Sequence, residues 1–358
     1  MSCVPKGRSN ILMTAGDTKL LESDKSSTET AHVGLLLIPG FGILSYACVV
    51  EPLRVANVLS GKPLYRWSHI SIDGTPARAL NGVSVTPDLC IGESLQFDYV
   101  FVCAAGNPAL FKHSPTIAWL RQLARHGVRI GGISGGPFVL ARAGLLDGYR
   151  TTIHWAHASA LIEEFPDLDI RHSIFEIDRG RLTSSGGTSP LDMMHEIISK
   201  QHGTELALQV SDWLPLKHVR EGSGPQRMAL RERLGVSHDP LLRAIDLMER
   251  NLEQPLSRSE LASAAHVSSR QLERLFRQDL GCSPGEHYMR LRLDRARDLL
   301  KQTSLSVLEI ALATGFTSAS HFSRKFKSRY GYGPRAERNA EVATKRKDRI
   351  APADKPSA

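Results

Sequence analysis

The chain has 358 residues, 41% of them hydrophobic, and a formal net charge of +8. That length suits two domains of ordinary size, and no uninterrupted apolar run approaches the roughly 18 residues of a membrane span, so a soluble protein without a membrane partner is expected. The excess charge is uneven, with 22 Lys and Arg against 14 Asp and Glu in residues 241–358 and 23 of each before that, and a basic third beside a neutral remainder is the footprint of a nucleic-acid partner.

Residues 1–30 mix Lys, Ser, Thr, Asp and Glu with short apolar pieces and lack the basic start and long apolar stretch of a secretory signal, which reads as a mobile tail. The five cysteines, Cys3, Cys48, Cys90, Cys103 and Cys282, are odd in number and show no CxxC or Cys/His spacing. Neither a disulfide framework nor a zinc site is suggested, no motif calls for a metal or cofactor, and a reducing cytoplasm is the expected compartment.

Residues 31–220 read as an α/β domain, a parallel sheet flanked by helices. Residues 32–39, 99–105 and 128–133 are nearly continuous apolar runs of strand length, the pattern of strands buried on both faces. Between them, residues 114–126 place Ile117, Leu120 and Leu123 on one helical stripe against Arg121 and Arg125. Residues 67–85, with Asp73-Gly74 and Asn81-Gly82, predict shorter strands and turns.

The informative turn is 131–148. A strand ends at Ile133, Ser134 sits among glycines, and a helix starts near Pro137, which is nucleophile-elbow geometry at the C-terminal edge of the sheet. His154, Trp155 and His157 follow and are placed to return to the same edge. Over about 31–214 the pattern resembles the class I glutamine amidotransferase-like fold, and within it the PfpI-like branch that precedes an AraC-type domain in GlxA-type regulators. The resemblance implies a cavity bounded by the loop after the first strand, the elbow and the His segment, and so selects Phe41, Tyr46, Glu51, Ser134, Gly135, Phe138, His154 and Trp155 as ligand-binding residues. Enzymes of this fold carry Cys at the elbow, where this chain has Ser134, and no carboxylate can be assigned to orient His154 as a base. Three readings follow for Ser134: a pocket edge, a purely structural elbow, or a retained hydrolase nucleophile. A Trp and a Tyr near a Glu suit a methylated ammonium through cation–π attraction, and the runs 51–57 and 184–194 resemble regulators of arginine, carnitine and glycine-betaine catabolism. Phe41 and Phe138 also read as core, and Glu51 as a residue that pairs on its own helix. Asp192 and His195, three apart on a helix, are too few for a metal site.

Residues 221–240 combine Gly, Pro and charge as a linker. Residues 241–338 read as an all-α domain with two helix-turn-helix units. In the first, Leu261, Ala262 and Ala265 form the supporting stripe, Val267 and Ser268 the turn, and Leu272, Leu275 and Phe276 the core face of the second helix; Ser269, Arg270, Glu273, Arg274 and Arg277 are left outward. In the second, Ile310, Ala311 and Ala313 lead through Gly315 and Phe316 to Phe322 and Phe326, leaving Ser318, His321, Arg324 and Lys325 outside. An exposed basic second helix is what a major groove admits. The run from Ser268 to Gly331 resembles the AraC/XylS DNA-binding domain, which implies two reading helices in successive groove segments, held apart by a linker helix at about 284–301, with Arg270, Glu273 and Arg274 at base-facing positions of the first and Ser320, His321 and Arg324 at those of the second. Arg can bind guanine bidentately and Glu can accept from cytosine, while Arg274 reads equally as a phosphate anchor. Residues 339–358, with Lys345, Arg346 and Lys347, read as a basic disordered tail.

Together these features predict a cytoplasmic transcription regulator, an activator of amino-acid or quaternary-amine catabolic genes responding to a small nitrogenous metabolite. Double-stranded promoter DNA, RNA polymerase and a second copy of the chain are the expected macromolecular partners. The alternative is an amidotransferase-like or PfpI-like hydrolase that also binds DNA.

Overall fold

A computed structural model describes residues 29–339. The tail readings for residues 1–28 and 340–358, with Cys3, Lys345, Arg346 and Lys347, lie outside the described residues.

The first domain is built on strands that the apolar runs place. In chain order its elements are β1 (Ala31–Leu37), α1 (Ile43–Ser60), β2 (Tyr65–Ser71), β3 (Ala77–Arg78), β4 (Ser84–Val85), β5 (Leu89–Cys90), β6 (Tyr99–Ala104), α2 (Ser114–Arg125), β7 (Arg129–Ser134), α3 (Gly136–Arg142), β8 (Arg150–Thr151), α4 (Trp155–Glu164), β9 (Asp169–Ile170), β10 (Phe175–Asp178), β11 (Arg181–Ser184), α5 (Ser189–His202) and α6 (Thr204–Trp213). The main sheet has the order β10-β11-β7-β6-β1-β2-β5. Every pairing in it is parallel except β10 with β11, which closes one edge antiparallel.

Alternating side chains feed two cores. Val33, Leu35, Leu37, Phe101 and Ile133 pack with α1, α5 and α6 on one face, while Leu36, Val100, Val102 and Ile130 pack with α2, α3 and α4 on the other. On α2 the buried stripe includes Trp119 and Thr116 beside Leu120 and Leu123. β2 is a full member of the sheet, in register with β1 from Tyr65 to Ile70, where the sequence suggested a minor strand. Its polar positions Arg66, Ser68 and His69 hide the pattern because it lies beside the short edge strand β5 and is only partly covered. α1 is long and apolar enough by length and composition to cross a membrane, with a mean hydropathy of 1.3, although Glu51 and Arg54 interrupt its apolar runs. Its Val49, Leu53, Val55 and Ala56 belong to the domain core, so its apolar character is explained by packing.

The segment read as a linker holds a short helix, α7 (Leu230–Leu234), and is followed by α8 (Asp239–Arg250), α9 (Arg258–Ala264), α10 (Ser269–Leu280), α11 (Pro284–Gln302), α12 (Val307–Ala313) and α13 (Ala319–Tyr330). Ser257, Ser283 and Ser306 open α9, α11 and α12 with capping boxes closed by Glu260, Glu286 and Glu309, which satisfy backbone N–H groups that a helix start leaves without partners. One core collects α8, α9, α10 and Tyr288 at the start of α11; another collects Leu293, Ala296, Leu299 and Leu300 from the rest of α11 with Ile310, Phe316, Phe322 and Phe326. α11 therefore belongs to both helix-turn-helix units. The four cysteines among the described residues are all free.

Candidate functional site

The outward faces of α10 and α13 carry the residues expected to meet DNA. Arg270, Arg274 and Arg277 follow one another at four and three residues along α10 and are exposed, so they share a face. Glu273 lies beneath them between two cations, 3.5 Å from Arg258 and 3.6 Å from Arg277. Accepting a cytosine amine would require Glu273 to loosen those pairs. Arg258 is a contributor that the pattern missed, because it starts the supporting helix α9 rather than the reading helix. With Ser268, Ser269, Arg270, Gln271, Glu273 and Arg274 it lines a groove of about 970 Å³. On α13, Ser320, Arg324 and Lys325 are exposed, and His321 sets its ring edge-on to Phe316 at 5.7 Å. Ser318 is exposed and is also the N-cap of α13, its hydroxyl accepting the His321 N–H, as Ser268 does for Gln271 in α10. Behind the second turn, the Arg292 guanidinium lies 4.2 Å over the Phe316 ring and donates to the Thr314 carbonyl at 2.7 Å.

In the first domain the elbow forms where the sequence places it. Ser134 ends β7 with φ of 60°, a left-handed conformation costly for a residue with a Cβ. Its neighbours must be glycine: a Cβ on Gly132 would stand 2.6 Å from the Pro137 nitrogen, and one on Gly136 would stand 2.1 Å from the Val102 carbonyl oxygen. The loop after β11 presses on the elbow, since a Cβ on Gly186 would lie 2.5 Å from that of Ser134. The next residue, Gly187, donates to the Ser45 hydroxyl of α1 at 2.8 Å. Gly186, Gly187 and Ser45 thus join the edge; the doubled glycine after a strand was the available signal.

His154 donates its backbone N–H to the Ser134 carbonyl at 3.2 Å, and its ring packs against Trp155 and His157 at 5.3 and 5.7 Å. Its Nδ1 accepts the Ala156 N–H at 3.2 Å, capping α4. Burial, reinforced by His157, pushes this imidazole down to about 4, so it is neutral near pH 7. A neutral ring accepting at Nδ1 carries its proton on Nε2, which leaves no lone pair for the Ser134 hydroxyl.

Trp155 is 45% exposed, and one face is covered by the Arg227 guanidinium at 4.5 Å. Gln226, beside it, accepts the Trp155 backbone N–H at 2.7 Å and donates to Thr152 Oγ1 and to the Ile153 and Ser173 carbonyls at 2.9–3.1 Å. These two residues of the connecting segment are tied to the start of α4.

The remaining expected ligand residues do not gather there. Phe41 and Phe138 are fully buried in the two opposite cores, so packing consumes both rings. Tyr46 gives its hydroxyl to His69 Nε2 at 2.8 Å, and burial pushes its phenol up to about 12. Glu51 pairs with Arg54 at 2.6 Å on the exposed side of α1. Asp192 is engaged by Arg220 and His195 by Ser211. Ser134, Gly135, His154 and Trp155 are the part of the set that the fold brings together.

Residues 48–200 match the model of the DJ-1/PfpI family, and residues 261–340 match that of a helix-turn-helix domain. The chain is similar to three curated relatives over most of its length. It is 43% identical to the HTH-type transcriptional regulator GbdR of Pseudomonas aeruginosa, over 86% of this chain and 84% of that one. With the regulator CdhR of the same species it shares 45% identity, over 85% and 90%. With GlxA of Rhizobium meliloti it shares 44%, over 88% and 97%.

Proposed function

Because the chain belongs to the GlxA-like HTH-type transcriptional regulators, a DJ-1/PfpI domain followed by an AraC-type DNA-binding domain, we propose that its first domain is a sensor for a small cationic or zwitterionic nitrogen metabolite. In this reading the protein activates catabolic genes for compounds such as arginine, carnitine or glycine betaine. It acts in the cytoplasm, as a dimer, by presenting RNA polymerase to promoter DNA read through Arg270, Glu273, Arg274 and Arg277 of α10 and Ser320, His321, Arg324 and Lys325 of α13.

The observation that carries the ligand class is the Arg227 guanidinium over Trp155. The indole at the elbow edge already holds a cation in this conformation, and a quaternary ammonium competes for the same face. Catalysis is disfavoured at the elbow because His154 spends Nδ1 on its helix and cannot act as base. One observation favours the hydrolase alternative, the left-handed Ser134; a hydrolysis assay comparing the parent with Ser134→Ala decides it, and equal rates exclude a nucleophile.

The ligand test is DNA binding and transcription measured with glycine betaine, L-carnitine and L-arginine. Trp155→Ala is expected to lose the response. Arg227→Ala should strengthen apparent binding of the active compound about two- to fivefold, the worth of an exposed cation–π contact removed from competition. A Trp155→Ala protein that responds at unchanged concentrations would sink the site.

A further inference from the structure

We propose that the first turn of α4, gripped by Gln302, is the joint through which the elbow edge acts on the second helix-turn-helix unit. The inference rests on the proposed sensor role of the first domain, but on no particular ligand.

The last carbonyls of a helix have no partners within it. In α11 the Leu299 carbonyl is taken by Thr303 just beyond the helix, and the Lys301 carbonyl is met from the other domain. Asn107, between β6 and the Pro108–Leu110 turn, donates its side-chain amide to the Lys301 carbonyl. Gln302, the final residue of α11, makes two bonds to α4: its Oε1 pairs with His157 Nδ1 at 2.9 Å, and its Nε2 donates to the Ala156 carbonyl at 3.0 Å. Gln302 and His157 are 9% and 7% exposed, so these are bonds that water does not readily replace. Further along the same helix, Arg295 faces Glu163 of α4, with burial pulling its guanidinium below the ordinary range.

Both anchor points touch the elbow. Pro108, next to Asn107, sits against Gly135 so closely that a Cβ there would lie 2.9 Å from its ring. His154, whose N–H binds the Ser134 carbonyl, accepts the His157 N–H through its own carbonyl at 2.8 Å. A displacement of Ser134 is therefore passed to Asn107 on one side and to His157 on the other, and both hold the end of α11. That end carries Leu299 and Leu300 of the second unit's core. The grip is also one that can open, because Asn107 Oδ1 is buried without a partner and the docked state leaves that acceptor unsatisfied.

The test is a double-mutant cycle in the full chain without any ligand. Gly186→Ala pushes the elbow and Gln302→Leu cuts the grip; Ser134→Gly, which relaxes the left-handed residue, serves as a second elbow variant should Gly186→Ala fail to fold. Affinity for a duplex selected by the parent protein from a random-sequence pool and amide exchange of residues 301–305 are read for each single and double variant. The elbow variant is expected to speed exchange at 301–305 and shift DNA affinity in the parent background, and to do both less in Gln302→Leu, where only the Asn107 contact still holds the end of α11, a non-additivity of about threefold or more. Additive effects, or exchange at 301–305 indifferent to the elbow, overturn the joint. The sensor reading fails separately, if none of the three metabolites alters DNA binding by the parent.

Discussion

Substituting Gly315 by Ala separates a position that needs glycine from one that only tolerates a side chain. Gly315 follows the supporting helix of the second unit at φ of 75°, and a Cβ there would stand 2.6 Å from the Leu252 carbonyl oxygen and 2.7 Å from Cγ of Pro255. Those atoms belong to the loop between α8 and α9, so the contact joins the two units, and a backbone carbonyl cannot swing aside as a side-chain tip does. The left-handed conformation costs Ala about 1–2 kcal/mol, overpacking adds about 1–3, and the stiffer unfolded chain returns about 0.4–1. The net is on the order of 3 kcal/mol of destabilisation. Its counterpart in the first unit is His266, at φ of 58° but exposed. There His266→Gly should be neutral or stabilising by about 0.5 kcal/mol, since relief of the left-handed cost slightly exceeds the added chain entropy. All four tryptophans lie before residue 214, so their fluorescence reports the first domain, and native-state amide exchange in α13 is the appropriate readout. Protection of α13 within about 0.5 kcal/mol of the parent in Gly315→Ala would refute the close approach.

Three further outcomes are expected. Arg270→Ala and Arg324→Ala should each lose discrimination at one or two base pairs, by about 1–3 kcal/mol where the contact is bidentate; uniform weakening across sequences would assign the residue to phosphate. The lowered His154, with His157 also depressed by burial, makes the first domain lose stability as the pH falls below about 6.5. There the unfolded chain takes up protons that the folded one refuses until about 4. Tryptophan-monitored melts from pH 7.5 to 4.5 should show a shallower decline in His154→Asn, which keeps a capping acceptor, and identical slopes would contradict the buried neutral ring. His287, buried against Phe276 with neither ring nitrogen bonded, should give about 1 kcal/mol of added stability as His287→Leu; destabilisation in denaturant titration would mean that the ring has a polar partner.

The apolar runs of β1, β6 and β7 disclosed the sheet because strands buried on both faces leave no polar positions to confuse the period. β2 was obscured by its half-covered place near the edge. The supporting and reading helices were legible down to single core positions, since each needs a narrow apolar stripe against a polar remainder. Ligand residues were less so. Phe41 lies in the loop after β1 and Phe138 in α3, where the way a ring turns depends on the layers packed around it, and both rings went inward. The Gln226, Arg227 and Gln302 contacts could not be seen at all: a glutamine in a linker or at a helix end looks like any solvated residue until the other domain is placed beside it.

A single α-helix shared by two cores is a ruler. Between Tyr288 in the first core and Leu293 in the second, each residue advances α11 by about 1.5 Å and turns it by about 100°. The distance and the angular phase between the two reading helices are thus stored as a residue count. Adding or deleting one residue in that stretch moves one unit around the axis by more than a quarter turn while altering no core composition, no cap and no basic side chain. A lineage that changes its operator spacing is therefore not free to do so gradually here. It must step by whole turns, or keep the helix length and alter what the two faces read.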